Sequence, residues 1–247
     1  MRKYLSVIML MARSSIYKIL PAIIVMILAE YFLFSRKLSL AAYAPGTPKE
    51  AFPSLEMVFF ESNIMWVLFA AFIIITVLLC RTGCEFKNKQ GYTLKRLLIS
   101  EKGVFFCQAA YNTCIYLTLW GIQLMTVLWF CHMYINEPAF GDLGTHTVFA
   151  AFYRNDFLHS LLPLAEFGIY IRNIILTLAL GCASALFPYK QRMGKIGFEI
   201  IILAAACLLF FKVEMGSIDF TGLMIIICVF IIFISIRSLM RKEDEYE

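Results

Sequence analysis

Long apolar runs constrain the fold of this chain more than any other feature of its sequence. Several windows approach or exceed the roughly 18–20 apolar residues that a helix needs to cross about 30 Å of hydrocarbon. The chain is 61% apolar over 247 residues, whereas a soluble domain is typically about half apolar or less. No polar stretch between the runs is long enough to bury a core of its own. The sequence therefore predicts one all-α, polytopic membrane domain that covers residues 1–247.

Six transmembrane helices are expected, because lipid offers no partner to a free backbone N–H or C=O group. The predicted spans are residues 16–34, 55–80, 103–134, 161–187, 196–211 and 220–236. Residues 1–15 place apolar side chains at helical spacing, which indicates a cytoplasmic interfacial helix that turns into the first span near Pro21. The alternative is one long, tilted first span. Residues 147–162 favour a short helix at the outer interface, with a plain loop as the alternative.

The basic residues orient the chain. Most of the 22 Lys and Arg residues fall in four segments: the N-terminus, residues 81–102, the connection between spans four and five, and the tail 237–247. The positive-inside rule places these segments in the cytoplasm. An even number of spans puts both termini on one side, so the span count and the charges agree. We expect a multi-pass protein of the cell membrane with both termini cytoplasmic.

Residues 81–102 form a charged segment between spans two and three, RTGCEFKNKQGYTLKRLLISEK, which carries six of the 22 Lys and Arg residues. Together with six spans and an N-terminal interfacial helix, this basic, helix-forming segment resembles the permease subunit of a type-two ABC exporter. In that family the segment carries an acidic residue, a Gly-Thr pair or a relative of it, and a Leu-rich helical stretch. The matching positions here are Glu85, Gly91, Thr93, Leu94, Leu97 and Leu98.

The resemblance implies that this segment is a coupling helix that docks into a groove of an ATP-binding cassette subunit. Leu94 and Leu97 would lie on its apolar side and Lys95 on the other, as in other helix-in-groove contacts. The alternative is a basic segment that contacts anionic lipid headgroups. The chain has no GxxxxGK[ST] phosphate loop, so we expect it to bind no cofactor itself, with ATP and Mg on the partner.

The further partners implied are a second permease chain, identical or related, and membrane lipid, with no role for nucleic acid. The aromatic-rich membrane surface suits export of a hydrophobic or amphipathic substrate, either a peptide or a lipid. The alternative function is a non-transporting membrane scaffold or sensor that binds a cytoplasmic partner through the same segment.

Polar residues inside spans are costly and commonly face a partner or a cavity. Glu61, Glu166, Arg172 and Asn173 are the candidates for a translocation path or gate, with interhelical packing as the alternative. Arg172 is expected to meet Glu30 or Glu61 from another span. For a second set of polar residues, packing through interhelical hydrogen bonds is the favoured interpretation. These are Gln108, Asn112 and Gln123.

The sequence suggests neither catalysis nor a metal site. An intramembrane protease needs a paired acidic motif, a Ser-His pair or a Gly-Asp motif in a span, and none of these stands in the predicted spans. The eight cysteines fall mostly in apolar runs, which is typical of small buried side chains. Cys80 and Cys84 share a helical spacing but lack further ligands nearby. His132, His146 and His159 lie near one outer loop, without a zinc-binding spacing.

Overall fold

The computed structural model describes residues 2–42, 54–82, 84, 100–140, 144, 146–164, 166–192, 194–195, 197–210 and 218–240. All regular elements in these ranges are helical, as predicted. They are α1 (Arg2–Ala42), α2 (Leu55–Ser62), α3 (Ile64–Arg81), α4 (Glu101–Ile135), a 3-10 turn (Pro138–Phe140), α5 (His146–Arg154), α6 (Asp156–Leu161), α7 (Phe167–Arg192), α8 (Glu199–Phe210) and α9 (Ile218–Met240).

Five helices, α1, α3, α4, α7 and α9, are long and apolar enough to cross a membrane. The protein is therefore membrane-embedded. The fifth span predicted from the sequence corresponds to α8, which is apolar but has only 12 residues. At 1.5 Å per residue α8 rises about 18 Å, which is less than the hydrocarbon thickness. Within the described ranges, five helices rather than six meet the requirements for crossing.

Helix α1 is continuous over 41 residues and contains Pro21 in its interior. The sequence predicted a separate interfacial helix at residues 1–15 and a turn near Pro21, and α1 shows no such break. Pro21 has no N–H to donate to the carbonyl of Tyr17, but membrane helices tolerate this loss when their neighbours pack against them. At about 60 Å, α1 is roughly twice as long as a bilayer requires, so part of it extends beyond the hydrocarbon or the helix is tilted.

Two of the predicted spans differ from the helices of the structure. The predicted second span, residues 55–80, is divided by Asn63, whose φ of 56° ends α2 before α3 begins. Asparagine tolerates this left-handed conformation better than most residues. The predicted fourth span, residues 161–187, starts at Phe167 instead, because Leu161 belongs to α6.

The predicted helix at residues 147–162 forms as two short helices, α5 and α6. Asn155 separates them and caps α6, since its Oδ1 accepts hydrogen bonds from the backbone N–H groups of Phe157 and Leu158 at 3.1 and 3.2 Å. Its Nδ2 donates to the carbonyl of Glu56 at 3.4 Å, which ties α6 to α2.

Helices α4 and α7 form the centre of the bundle and share its most extensive interhelical contact. Helices α3, α8 and α9 pack against α7, while α1 packs against α3 and α4. The approach of α4 and α7 is close: a Cβ atom added to Gly181 would lie 2.0 Å from Thr113 Oγ1 and 3.0 Å from the carbonyl oxygen of Ala109. Small residues of this kind allow membrane helices to pack where lipid supplies no hydrophobic driving force.

Candidate functional site

One face of α4 carries polar side chains that bond to α1, α3, α6 and α7, and all of them are buried except Trp120, which is partly buried. Successive members lie one, three or four residues apart, which places them along one side of a helix. Each such bond between membrane helices is worth about 0.6 to 2 kcal/mol. The members are Gln108, Tyr111, Asn112, Tyr116, Trp120 and Gln123.

The α3 end of the 81–102 segment is fixed to α4. Gln108 Nε2 donates to the carbonyl oxygen of Thr82 at 2.6 Å. At the other end of the segment, Ser100 Oγ accepts from the backbone N–H of Gly103 at 3.3 Å and caps α4. The segment therefore leaves α3 and enters α4 at two anchored points.

Two further bonds connect α4 to the helices on either side of it. The hydroxyls of Ser15 on α1 and Tyr111 lie 2.6 Å apart. Asn112 Nδ2 donates to Ser184 Oγ of α7 at 2.8 Å. All four side chains are buried. The packing role expected of Gln108 and Asn112 is confirmed.

Glu30 of α1 meets Gln123 of α4 in a fully buried position. Gln123 Nε2 donates to Glu30 Oε2 at 3.2 Å, and both residues are 0% exposed. This bond confirms that Gln123 joins two helices. The Oε1 atom of each side chain has no hydrogen-bond partner within the described residues. A buried acceptor without a donor costs about 1–3 kcal/mol, so this pair is incompletely satisfied.

A cavity of about 100 Å³ lies between α3, α4, α6, α7 and α8. Its wall is apolar apart from a few groups, which include Gln123, Ser160 and Asn173. The lining residues include Leu68 and Phe72 of α3, Tyr116, Leu119, Trp120 and Gln123 of α4, Leu161 of α6, Leu176, Thr177 and Leu180 of α7, and Leu208 of α8. This cavity gives a ligand room between the helices.

Of the four predicted gate residues, Asn173 lines the cavity and Arg172 adjoins it. Asn173 Nδ2 donates to the carbonyl of Ser160 at 2.9 Å. Its Oδ1 accepts from Arg172 Nε at 3.3 Å and Nη2 at 3.1 Å. Asn173 thereby fixes the end of α6 to α7 and holds the guanidinium in a buried position.

Glu61 and Glu166 lie apart from the cavity. Glu61 Oε2 pairs with Lys37 Nζ at 3.3 Å in an exposed ion pair between α1 and α2, a type worth little in free energy. Glu166 is exposed just before α7. The expected pairing of Arg172 with Glu30 or Glu61 does not form, because Glu30 bonds to Gln123 and Glu61 to Lys37.

The six predicted coupling residues lie outside the described residues. Glu85, Gly91, Thr93, Leu94, Leu97 and Leu98 all fall between residues 85 and 99. The structure thus fixes where their segment leaves and enters the bundle, but not the segment itself.

A second cytoplasmic connection predicted from the charges lies between α7 and α8. Lys190 Nζ forms a partly buried ion pair with Glu199 Oε1, which joins the end of α7 to the start of α8. Since α7 continues to Arg192, this connection is shorter than the sequence suggested.

The cysteines and histidines form no cluster of three or more metal-binding side chains in the described residues. Cys84 Sγ donates to the carbonyl of Cys80 at 2.9 Å. Burial raises the pKa of the Cys84 thiol, although Arg192 and Arg81 oppose the shift. The thiol is thus kept in its protonated form, which is a poor metal ligand.

Comparisons with protein-family models, curated proteins and solved structures found no match to this chain.

Several cavity residues were not singled out from the sequence. Tyr116 and Trp120 were not distinguished from the other aromatic residues of the third span, although Trp120 Nε1 donates to the carbonyl of Leu161 at 3.1 Å. Ser160 was placed at the outer interface, yet it is buried beside Asn173. The spacing from Gln108 through Asn112 and Tyr116 to Trp120 and Gln123 is the one signal that could have identified this face of α4.

Proposed function

We propose that this chain is the membrane-spanning subunit of an ATP-driven transporter of the type-two ABC exporter class. One observation supports this most directly. The 81–102 segment joins α3 to α4, and these two helices supply seven of the residues that line the cavity. A protein that moved this segment would act on the two helices that form one side of the cavity.

In this proposal the segment contacts a separate ATP-binding cassette subunit through Glu85, Gly91, Thr93, Leu94, Leu97 and Leu98. ATP and Mg bind to that subunit, which hydrolyses the nucleotide. The Gln108–Thr82 bond makes the ends of α3 and α4 respond together to movement of the segment. A second permease chain, identical or related, completes the transporter.

The proposed topology has both termini in the cytoplasm and six passages through the cell membrane. Five passages are provided by α1, α3, α4, α7 and α9. Helix α8 needs residues beyond Phe210 to complete the remaining one. The partly buried pair of Lys190 and Glu199 would then lie on the cytoplasmic side.

The proposed substrate is hydrophobic or amphipathic, either a peptide or a lipid, because the cavity wall is almost entirely hydrocarbon. Asn173 lines this cavity and bonds to Arg172 beside it, so these two are the best placed of the predicted gate residues. Glu61 and Glu166 are exposed, so we assign them no contact with substrate inside the bundle.

The test is co-purification in nanodiscs of the tagged chain, expressed with the neighbouring genes of its genome, followed by mass spectrometry and an ATPase assay. We expect a stoichiometric nucleotide-binding subunit. Leu97→Asp places a charge on the apolar side of the segment and should reduce the bound ATPase subunit about tenfold or more. Lys95→Asp, on the polar side, is the matched control and should retain binding.

Two results would overturn the proposal. If the chain purifies alone with no nucleotide-binding subunit, it is better explained as a scaffold or sensor. If Lys95→Asp impairs membrane association while Leu97→Asp has no effect, the segment binds anionic lipid headgroups instead of a protein groove.

A further inference from the structure

Glu30 is an acidic side chain enclosed by the helix bundle. It lies in the membrane-crossing helix α1 and is 0% exposed. Within the described residues its side chain accepts one hydrogen bond, which Gln123 Nε2 donates to Oε2 at 3.2 Å. An ionised carboxylate in this position would lose its hydration, and one neutral donor does not replace that hydration.

No cation of the described residues pairs with Glu30. On α1 itself, Tyr31 stacks on Trp129 and Lys37 pairs with Glu61. Helices α2, α3 and α4 pack against α1, and none of their ionisable side chains forms an ion pair with Glu30. They include Glu56 and Glu61 of α2, Cys80 and Arg81 at the end of α3, and, nearest to Gln123 on α4, Tyr116 and Cys131. A buried carboxyl without a cation avoids the cost of its charge by keeping its proton.

The two unpaired atoms of the Glu30–Gln123 contact are of the same kind. Glu30 Oε1 and Gln123 Oε1 are both buried without a hydrogen-bond partner in the described part of the chain, and both are acceptors when the carboxyl is ionised. One proton on Glu30 Oε1 converts this atom into a donor and leaves Gln123 Oε1 as the acceptor. A carboxylic acid and a primary amide each carry a donor and an acceptor at one end, so two hydrogen bonds can join them side by side.

We propose that Glu30 holds a proton inside the bundle and donates it from Oε1 to Gln123 Oε1, in a second hydrogen bond beside the existing one. The bound proton joins α1 to α4. It needs no passage through the closed bundle, because Glu30 takes it up during folding or whenever these two helices separate. A glutamate that meets water is ionised at neutral pH, so closing this contact takes up one proton. The site requires neither ATP nor a partner subunit, and its test is therefore independent of the proposed transport function.

Infrared spectroscopy of the full chain in dodecyl maltoside, a detergent without carbonyl groups, tests the protonation directly. At about pH 7 exposed carboxyls are ionised, so a C=O stretch of a neutral carboxylic acid reports a buried one. We expect this band in the unsubstituted protein and its loss in Glu30→Gln. Glu61→Gln replaces the exposed acid that pairs with Lys37, and as the matched control it should keep the band. Absence of the band from the unsubstituted protein, or its survival in Glu30→Gln, would overturn the proposal.

A substitution of Gln123 tests the partner of the proton. Gln123→Leu removes both hydrogen bonds from the acid, so the C=O stretch of Glu30 should move to higher frequency without disappearing. An unchanged frequency would show that the proton of Glu30 is not donated to Gln123.

Two substitutions of Glu30 separate a neutral acid from an ionised one through unfolding in dodecyl sulfate. Glu30→Gln keeps a donor and an acceptor at the end of the side chain, so the unfolding equilibrium constant should stay unchanged. Glu30→Met has a similar length without these groups and should raise that constant about tenfold, as expected for the loss of interhelical hydrogen bonds. If both variants are more stable than the unsubstituted protein, Glu30 is an unpaired buried charge and the proposal is wrong. This comparison remains decisive if Gln123→Leu does not fold.

Discussion

Replacing Gly181 by alanine, which adds a single methyl group, should destabilise the helix bundle. It stands on α7 where this helix meets α4. The Cβ atom of an alanine there would lie 2.0 Å from Thr113 Oγ1 and 3.0 Å from both Thr113 Cβ and the carbonyl oxygen of Ala109. The threonine hydroxyl can rotate away, but this would break its 2.9 Å hydrogen bond to the same carbonyl. The backbone oxygen can move only with α4 itself.

The expected cost combines two opposing effects. Overpacking of a well-packed core costs about 1–3 kcal/mol, while replacing glycine by alanine inside a helix gains up to about 1 kcal/mol. We therefore expect Gly181→Ala to lower the free energy of unfolding by about 1–2 kcal/mol. Thr113→Ala removes the closest atom, so the double variant should recover about 1 kcal/mol of this loss. The contact with the Ala109 carbonyl prevents full recovery.

The measurement is reversible unfolding in mixed micelles with increasing dodecyl sulfate, followed by tryptophan fluorescence. Gly121→Ala is the matched control, because a Cβ at Gly121 on α4 meets no atom within 4 Å. It should be neutral or slightly stabilising. If Gly181→Ala is as stable as Gly121→Ala, or if Thr113→Ala gives no recovery, the close approach of α4 and α7 is not as described.

Three smaller predictions follow from other contacts. Tyr111→Phe removes the 2.6 Å bond to Ser15 and should cost about 0.6 to 2 kcal/mol in the same unfolding assay; an unchanged midpoint would show that α1 is not held there. Asn63→Gly should leave the free energy of unfolding unchanged, whereas Asn63→Val should lower it by about 1–2 kcal/mol, because a φ of 56° is unfavourable for a β-branched residue. Equal stability of the two variants would contradict the break between α2 and α3. Lys190→Glu should weaken the attachment of α8 to α7, and combining it with Glu199→Lys should restore the ion pair. Protection of the connection between α7 and α8 from a protease measures both effects. If the double variant does not recover this protection, the ion pair is not as described.

The helical content and most of the long helices were predictable from the sequence. Apolar runs identified α3, α4, α7 and α9, because only a helix satisfies its backbone in lipid without a neighbour. The packing role of Gln108, Asn112 and Gln123 was also predictable, since an amide in a span needs a partner on another helix.

The details that depend on a single residue or on three-dimensional packing were not predictable. Asn63 interrupts the predicted second span through one backbone torsion, and Pro21 leaves α1 unbroken, so local propensity gave the wrong boundary in both cases. The choice of partner for Arg172 was open because any of several carboxylates could reach it in principle. The cavity arises where side chains of five helices fail to fill space, and no pattern within one helix encodes such a gap.

The hydrogen bonds of α4 limit how this bundle can change conformation. Between Gln108 and Gln123 this helix bonds to α1, α3, α6 and α7. A gradual rotation of α4 about its own axis would break these bonds together, and lipid offers no replacement partners. Helix α4 must either move as one body with its neighbours or shift by a whole turn, about 5.4 Å, to new partners. Any transition that involves α4 therefore runs between discrete arrangements, with no stable positions in between.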